Sequence, residues 1–172
     1  MKRVIIIGCP GSGKSTFARK LAERINLPLE HLDLYYHDNK HDYANDRPAW
    51  LKLITNLVSK ETWIIDGNYK STFDLRFERA DTIIFFDYPR YITVWRTIKR
   101  RIQLHGKQRA DMPSNWREKI EASHAKFVWT FNKTERPRIY SYLKKYEKGR
   151  EIVVFRHPRE AEEWLDVTTS SR

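Results

Sequence analysis

Gly8-Cys9-Pro10-Gly11-Ser12-Gly13-Lys14-Ser15-Thr16 satisfies the pattern G-x-x-x-x-G-K-[ST] without a mismatch. Before it, Val4-Ile5-Ile6-Ile7 is a short β-branched run, and after it Phe17 to Ile25 carries apolar residues at helical spacing. The expectation is strand, loop, helix. In that order glycines let backbone N–H groups close on phosphates, and the start of the helix adds partial positive charge. Gly8, Pro10, Gly11, Ser12, Gly13, Lys14, Ser15 and Thr16 are therefore the candidate cradle for a nucleoside triphosphate. Lys14 would reach the β- and γ-phosphates, and the Ser15 hydroxyl would hold Mg²⁺.

The 172 residues suit one domain with a substantial core. The first apolar run breaks at the glycine loop, well short of a signal peptide or membrane span, so a soluble, cytoplasmic protein is expected. Cys9 is the single cysteine, compatible with a reducing compartment, and reads as a small filler rather than a reactive thiol. Lys and Arg number 33 against 22 Asp and Glu, a formal charge of +11 that points to anionic partners. Two classes fit that charge: phosphorylated ligands gathered in one cleft, or nucleic acid along a basic face. Basic residues are densest from Arg90 through Arg96, Lys99, Arg100 and Arg101 to Lys107 and Arg109, and again from Lys133 to Lys145. For any one of them a solvated helix face is the default.

Along the chain, Leu29 to Leu34 is expected as a second strand that delivers Asp33 to the cleft beside the glycine loop; a capping or loop carboxylate is the alternative. Tyr35 to Pro48 is polar and without period. His31, His37 and His41 with Asp38 and Asp42 invite a metal reading, but the spacings are not those of zinc sites and a substrate-facing loop is expected. A helix follows to Ser59, with Trp50, Leu51, Ile54, Leu57 and Val58 as its core stripe. Thr62 to Ile65 is a third strand ending in Asp66-Gly67-Asn68-Tyr69, where Asp66 can hold Mg²⁺ through water, although a plain strand-to-turn signal reads the same way. Asp81 to Asp87 is a fourth, nearly continuous apolar strand, as expected for one buried on both faces. Ile92, Val94, Trp95, Ile98, Ile102 and Leu104 should turn the apolar side of the next helix inward, leaving Arg96 and Arg100, four apart, to converge on one anion. The polar stretch 106–116 looks like a lid. Aromatics beyond it, Trp116 to Tyr146, are expected to pack helices onto the body rather than to stack nucleobases. Glu151 to Phe155 is a fifth strand and Pro158 to Val167 a closing helix.

Strands alternating with helices indicate a parallel α/β sheet with right-handed crossovers. The glycine loop, His31-Leu32-Asp33, Trp63 to Tyr69, Ala80 to Arg90, Arg100-Arg101 and Gly106 to Arg109 together resemble adenylate-kinase-type P-loop kinases. More narrowly, Asp66-Gly67-Asn68-Tyr69 and Asp87-Tyr88-Pro89-Arg90 resemble the DNA topology modulation (FlaR-like) proteins of that superfamily. The resemblance implies a three-layer P-loop NTPase fold, with a five-stranded parallel sheet in the order 2-3-1-4-5 and helices on both faces. It also implies an acceptor-binding insert at about 35–59 and a lid at about 106–116 within one domain over 1–172. Nucleoside monophosphate kinases have Asp-Gly-Phe-Pro-Arg where this chain has Asp66-Gly67-Asn68-Tyr69-Lys70; Arg76 is the candidate replacement for the arginine.

The function expected is Mg²⁺-dependent transfer of the γ-phosphoryl group of ATP to a small acceptor, a nucleotide, nucleoside or similar compound. Lys14, Arg96, Arg100, Arg109 and Arg138 would face the transferring group, Ser15 and Asp66 the metal, and Asp33 the acceptor. A nucleotide-dependent DNA-binding regulator and a simple NTPase are the alternatives. No membrane partner is expected, and either a monomer or a homodimer fits.

Overall fold

The structure, a computed structural model, describes residues 1–38, 40–103 and 122–170. The strands are β1 (Arg3–Gly8), β2 (Leu29–His31), β3 (Trp63–Asp66), β4 (Thr82–Phe86) and β5 (Glu151–Phe155). All four pairings are parallel, and the sheet runs β2-β3-β1-β4-β5, the order expected. The helices are α1 (Lys14–Ile25), α2 (Leu32–Tyr36), α3 (Arg47–Ser59), α4 (Phe73–Arg79), α5 (Arg90–Gln103), α6 (Ala122–Thr134), α7 (Arg136–Lys145) and α8 (Pro158–Ser170), with a 3₁₀ turn at Lys70–Thr72.

Side chains alternate across the pleat, so each central strand feeds two cores. Val4, Ile6, Ile64, Ile84 and Phe86 pack with Phe17, Ala18 and Leu21 of α1 and with Ala161 and Leu165 of α8. Ile5, Ile7, Trp63, Ile65, Ile83 and Phe85 face Trp50, Ile54, Phe73, Phe77, Phe131, Ile139 and Leu143, from α3, α4, α6 and α7. The α6 and α7 aromatics divide accordingly: Phe131 is core and Tyr140, Tyr142 and Tyr146 lean on it, whereas Trp129 is exposed beneath the Arg90 guanidinium, 4.6 Å from the ring centre.

Two expectations fail here. Strand β2 stops at His31 instead of Leu34, and Leu32–Tyr36 coil into α2, which therefore carries Asp33, Tyr35 and Tyr36. The reason lies in the neighbour: β2 pairs with β3 alone, His31 opposite Asp66, and at Gly67 (φ 145°) β3 turns away and ends the ladder. The second failure concerns α5. Ile92 and Val94 pack against the two cores as expected, but Trp95, Ile98 and Ile102 are 65%, 49% and 74% exposed, and among the helix residues of described burial the buried one is Thr93; Leu104 lies outside the described residues. That face abuts the glycine loop so closely that a Cβ at Gly11 would come within 2.6 Å of the Thr93 carbonyl and also strike the Thr97 hydroxyl. Bulky apolar side chains do not fit such a contact. Threonines do, because their hydroxyls turn back onto the helix, Thr93 to Arg90 O at 3.0 Å and Thr97 to Thr93 O at 2.7 Å.

Arg76 is also not where the resemblance would use it. It is fully buried and donates to the carbonyls of Gly67 (2.7 Å), Asn68 (2.8 Å) and Tyr69 (3.0 Å) and to the Thr72 hydroxyl (3.1 Å). A guanidinium committed to the backbone of the turn is not open to an acceptor. Burial draws its pKa down to about 9, so it stays charged at neutral pH. Arg76→Met should strand these carbonyls and lower stability by about 3 kcal/mol or more, measured by urea unfolding; a loss within about 0.5 kcal/mol, typical of a neutral surface change, would show that the carbonyls find other partners.

Candidate active site

The glycine loop connects β1 to α1, with the Ser12 amide donating to Cys9 O at 3.1 Å and with Gly11 and Gly13 at positive φ (81° and 91°). The N-cap of helix α1 is Gly13, which offers no side-chain cap, and its first turn carries no acidic residue. By contrast, Asp46 caps α3 by accepting from Ala49 N–H at 2.9 Å. An N-terminus left open in this way, under glycines, fits a phosphate. The Ser12 hydroxyl is buried without a protein partner and completes the polar lining.

Asp66 ends β3 almost fully buried. Its Oδ2 meets His31 Nδ1 at 2.9 Å; its Oδ1 is buried and, among the described residues, has no hydrogen-bond partner of good geometry, with the Ser15 hydroxyl turned toward the carboxyl. Burial alone would raise its pKa. The Lys14 ammonium, His31 and the Ser15 hydroxyl outweigh burial and hold the carboxyl below its ordinary range, so it is ionised. An anionic oxygen left without a well-formed hydrogen bond among the described residues, close to Lys14 and Ser15, is a donor set that suits Mg²⁺. The other histidines of this region are engaged elsewhere: His41 with Asp46 at 3.2 Å, and His37 edge-on to Tyr36.

The segment Asn68-Tyr69 works in a way that reading it as a turn misses. The Asn68 amide brackets Gly8, accepting from its N–H at 3.0 Å and donating to its carbonyl at 2.9 Å. The Tyr69 hydroxyl donates to Asp33 Oδ1 at 2.7 Å. Burial, reinforced by Asp33, pushes the Tyr69 pKa up, so the phenol remains the donor. Asp33 is partly exposed in the first turn of α2. Only the repetition of polar residues directly after a buried strand hints at these roles.

Among the arginines, Arg96 reaches the glycine loop, donating to Ser12 O at 3.2 Å, with its guanidinium 5.9 Å from the Tyr88 ring centre. Arg100 follows one turn later and is half-buried. Arg138 is elsewhere. It lines a groove with Lys70, Ser71, Ser141 and Tyr142, where Lys70 (2.8 Å) and Arg138 (3.9 Å) share the single carboxylate of Glu135. Arg109 and the expected lid at 106–116 lie outside the described residues. Asp87, at the end of β4, has both oxygens occupied, by Arg136 (2.7 and 2.8 Å) and the Tyr140 hydroxyl (2.7 Å), and so docks α7. Cys9 is buried and its thiol is pushed up to about 11 by burial, the reverse of a reactive cysteine.

Solved structures share this fold. The shikimate kinase of Acinetobacter baumannii, in complex with shikimate, matches with a TM-score of 0.58 at 14% identity, over 100% of this chain and 95% of that one. A gluconokinase of Sinorhizobium meliloti matches at 0.56 and 20% identity, over 99% and 94%. The shikimate kinase of Bacteroides thetaiotaomicron matches at 0.55 and 15%, over 99% and 97%. At these identities the likeness is one of fold. No protein-family model matches the chain, and no curated protein matches it. Among the described residues no helix is long and apolar enough to cross a membrane.

Asn68 offers a test of the loop's support. Asn68→Ala should weaken binding of a fluorescent ATP analogue about tenfold through loss of the two Gly8 bonds, at about 0.5–1.5 kcal/mol each. Asn68→Asp should bind more weakly still, because it sets an anion against the Gly8 carbonyl. Equal affinities in a fluorescence titration would remove Asn68 from the support of the loop.

Proposed function

We propose that this chain is an ATP-dependent phosphotransferase acting on a small hydroxylated acid. The observation that supports it most directly is the start of α1 beneath the glycine loop, without a side-chain cap from Gly13, and the buried Asp66 oxygen left without a well-formed hydrogen bond among the described residues. The segments Asp66-Gly67-Asn68-Tyr69 and Asp87-Tyr88-Pro89-Arg90 support a place beside the DNA topology modulation proteins within the P-loop kinases.

In this reading the backbone amides from Gly11 to Ser15, the Ser12 hydroxyl and Lys14 bind the donor phosphates, and Arg96 and Arg100 of α5 add positive charge from the other side. Ser15 and Asp66 would hold Mg²⁺, which neutralises phosphate charge when bound. Asp33 accepts the proton of the acceptor hydroxyl as its oxygen attacks the γ-phosphorus. The bond from that phosphorus to the bridging oxygen breaks, and ADP leaves with the electron pair. Tyr69 occupies Asp33 Oδ1, which leaves Oδ2 for the acceptor.

The acid class rests on two supports. The groove beside the 3₁₀ turn that follows Tyr69 in the chain is lined by Lys70 and Arg138, which share Glu135, and by Tyr142, bonded to Asp74, so an anionic group of the acceptor would pair with the two cations. Shikimate and gluconate, for which the neighbours are named, are both hydroxylated carboxylic acids.

The test is ADP release from ATP and Mg²⁺ across a panel of hydroxycarboxylic acids, nucleosides and nucleoside monophosphates. A member of the first group should stimulate turnover, and Lys14→Ala should reduce it by about a hundredfold or more. Unchanged nucleotide affinity and turnover in Lys14→Ala would overturn the reading. With the active acid, Arg138→Gln should raise KM about tenfold with a smaller change in kcat, the worth of one charge-assisted hydrogen bond. Stimulation confined to nucleosides would keep the phosphotransferase and remove the acid.

A further inference from the structure

His31 has no role in the chemistry above, yet it is only 8% exposed and lies beside Asp66, itself 4% exposed. The pairing of β2 with β3 puts the two residues directly opposite each other, and parallel neighbours in register project to the same face. The contact is one-sided. Nδ1 meets Oδ2 at 2.9 Å, and Oδ1 is left buried with no hydrogen-bond partner of good geometry among the described residues. A buried carboxylate oxygen in that state is costly unless something else binds it.

We infer that His31 is a positioning residue that holds Asp66 by Oδ2 so that Oδ1 is presented to the cation. The inference rests on the assignment of Asp66 to Mg²⁺. A carboxylate on a strand end can rotate about its last bond and give both oxygens to the Lys14 ammonium. A donor fixed on the adjacent strand removes that option, because β2 and β3 are joined by backbone bonds up to this residue pair. The bond requires a proton on Nδ1 and uses only the near half of the ring. Asparagine can place an N–H donor where Nδ1 stands; glutamine places its donor farther out, at the distance of Nε2.

The test is calorimetric binding of a non-hydrolysable ATP analogue across a Mg²⁺ titration, which does not depend on turnover or on the acceptor. In the unmodified protein Mg²⁺ should tighten binding. His31→Leu should lower the apparent Mg²⁺ affinity about tenfold, within the range for residues that orient a metal ligand, and leave metal-free binding unchanged. His31→Asn should recover most of the affinity, and His31→Gln should behave like His31→Leu. A wild-type Mg²⁺ response in His31→Leu would overturn the inference alone. So would equal losses in His31→Asn and His31→Gln, which would mark the residue as packing. No Mg²⁺ effect in the unmodified protein would overturn the metal assignment and this inference together. Should His31→Leu fail to fold by circular dichroism, the asparagine and glutamine pair still decides.

Discussion

The buried guanidinium of Arg76 is the interaction on which the site depends. It gathers three successive carbonyls, of Gly67, Asn68 and Tyr69, and so fixes the course of the chain just beyond β3. Three side chains with different targets leave this short stretch: Asp66 toward Lys14, Asn68 onto Gly8, and Tyr69 onto Asp33. Among the described residues no carboxylate accepts from Arg76; the carbonyl dipoles and the Thr72 hydroxyl solvate it, and burial draws its pKa down. Aspartate in its place of contact would bring a second anion toward Asp66. Carbonyls hold the turn without doing so.

The two segments at the carboxyl ends of β2 and β3 are cross-linked in both directions. His31, from the first, holds the carboxylate of the second; Tyr69, from the second, holds the carboxylate of the first. Each carboxylate thus has one oxygen engaged. A shift of either segment would disturb both acids, so the two acids share one mechanical foundation. Under the phosphoryl transfer we propose, this coupling matters because the protein contributes mostly placement and charge.

Much of this was legible in the sequence. The glycine loop announced the β1–α1 junction, and apolar runs marked the central strands because strands buried on both faces have few polar positions. What escaped depended on partners distant in the chain. The end of β2 is set by where β3 turns, which no property of Leu32 to Leu34 records. The outward Trp95, Ile98 and Ile102 defeat hydrophobic periodicity because the contact between α5 and the glycine loop selects for small size and self-satisfied hydroxyls. Asn68 reads as a turn residue locally, and nothing in its neighbourhood says that its amide brackets a glycine sixty positions earlier. Arg76 invites a ligand-contact reading because charge is conspicuous in a sequence, whereas its carbonyl partners leave no mark there.

The fit of Gly11 against Thr93 and Thr97 also bears on how such a chain can evolve. A side chain at position 11 collides with the helix and must adopt a backbone angle that favours glycine, whereas a larger residue at 93 or 97 forces the helix off the loop. Enlargement at any of the three positions is therefore opposed by the other two. Bulk is accommodated instead at the outward positions of the same helix, where Tyr91, Trp95 and Ile102 make no such demand on the loop.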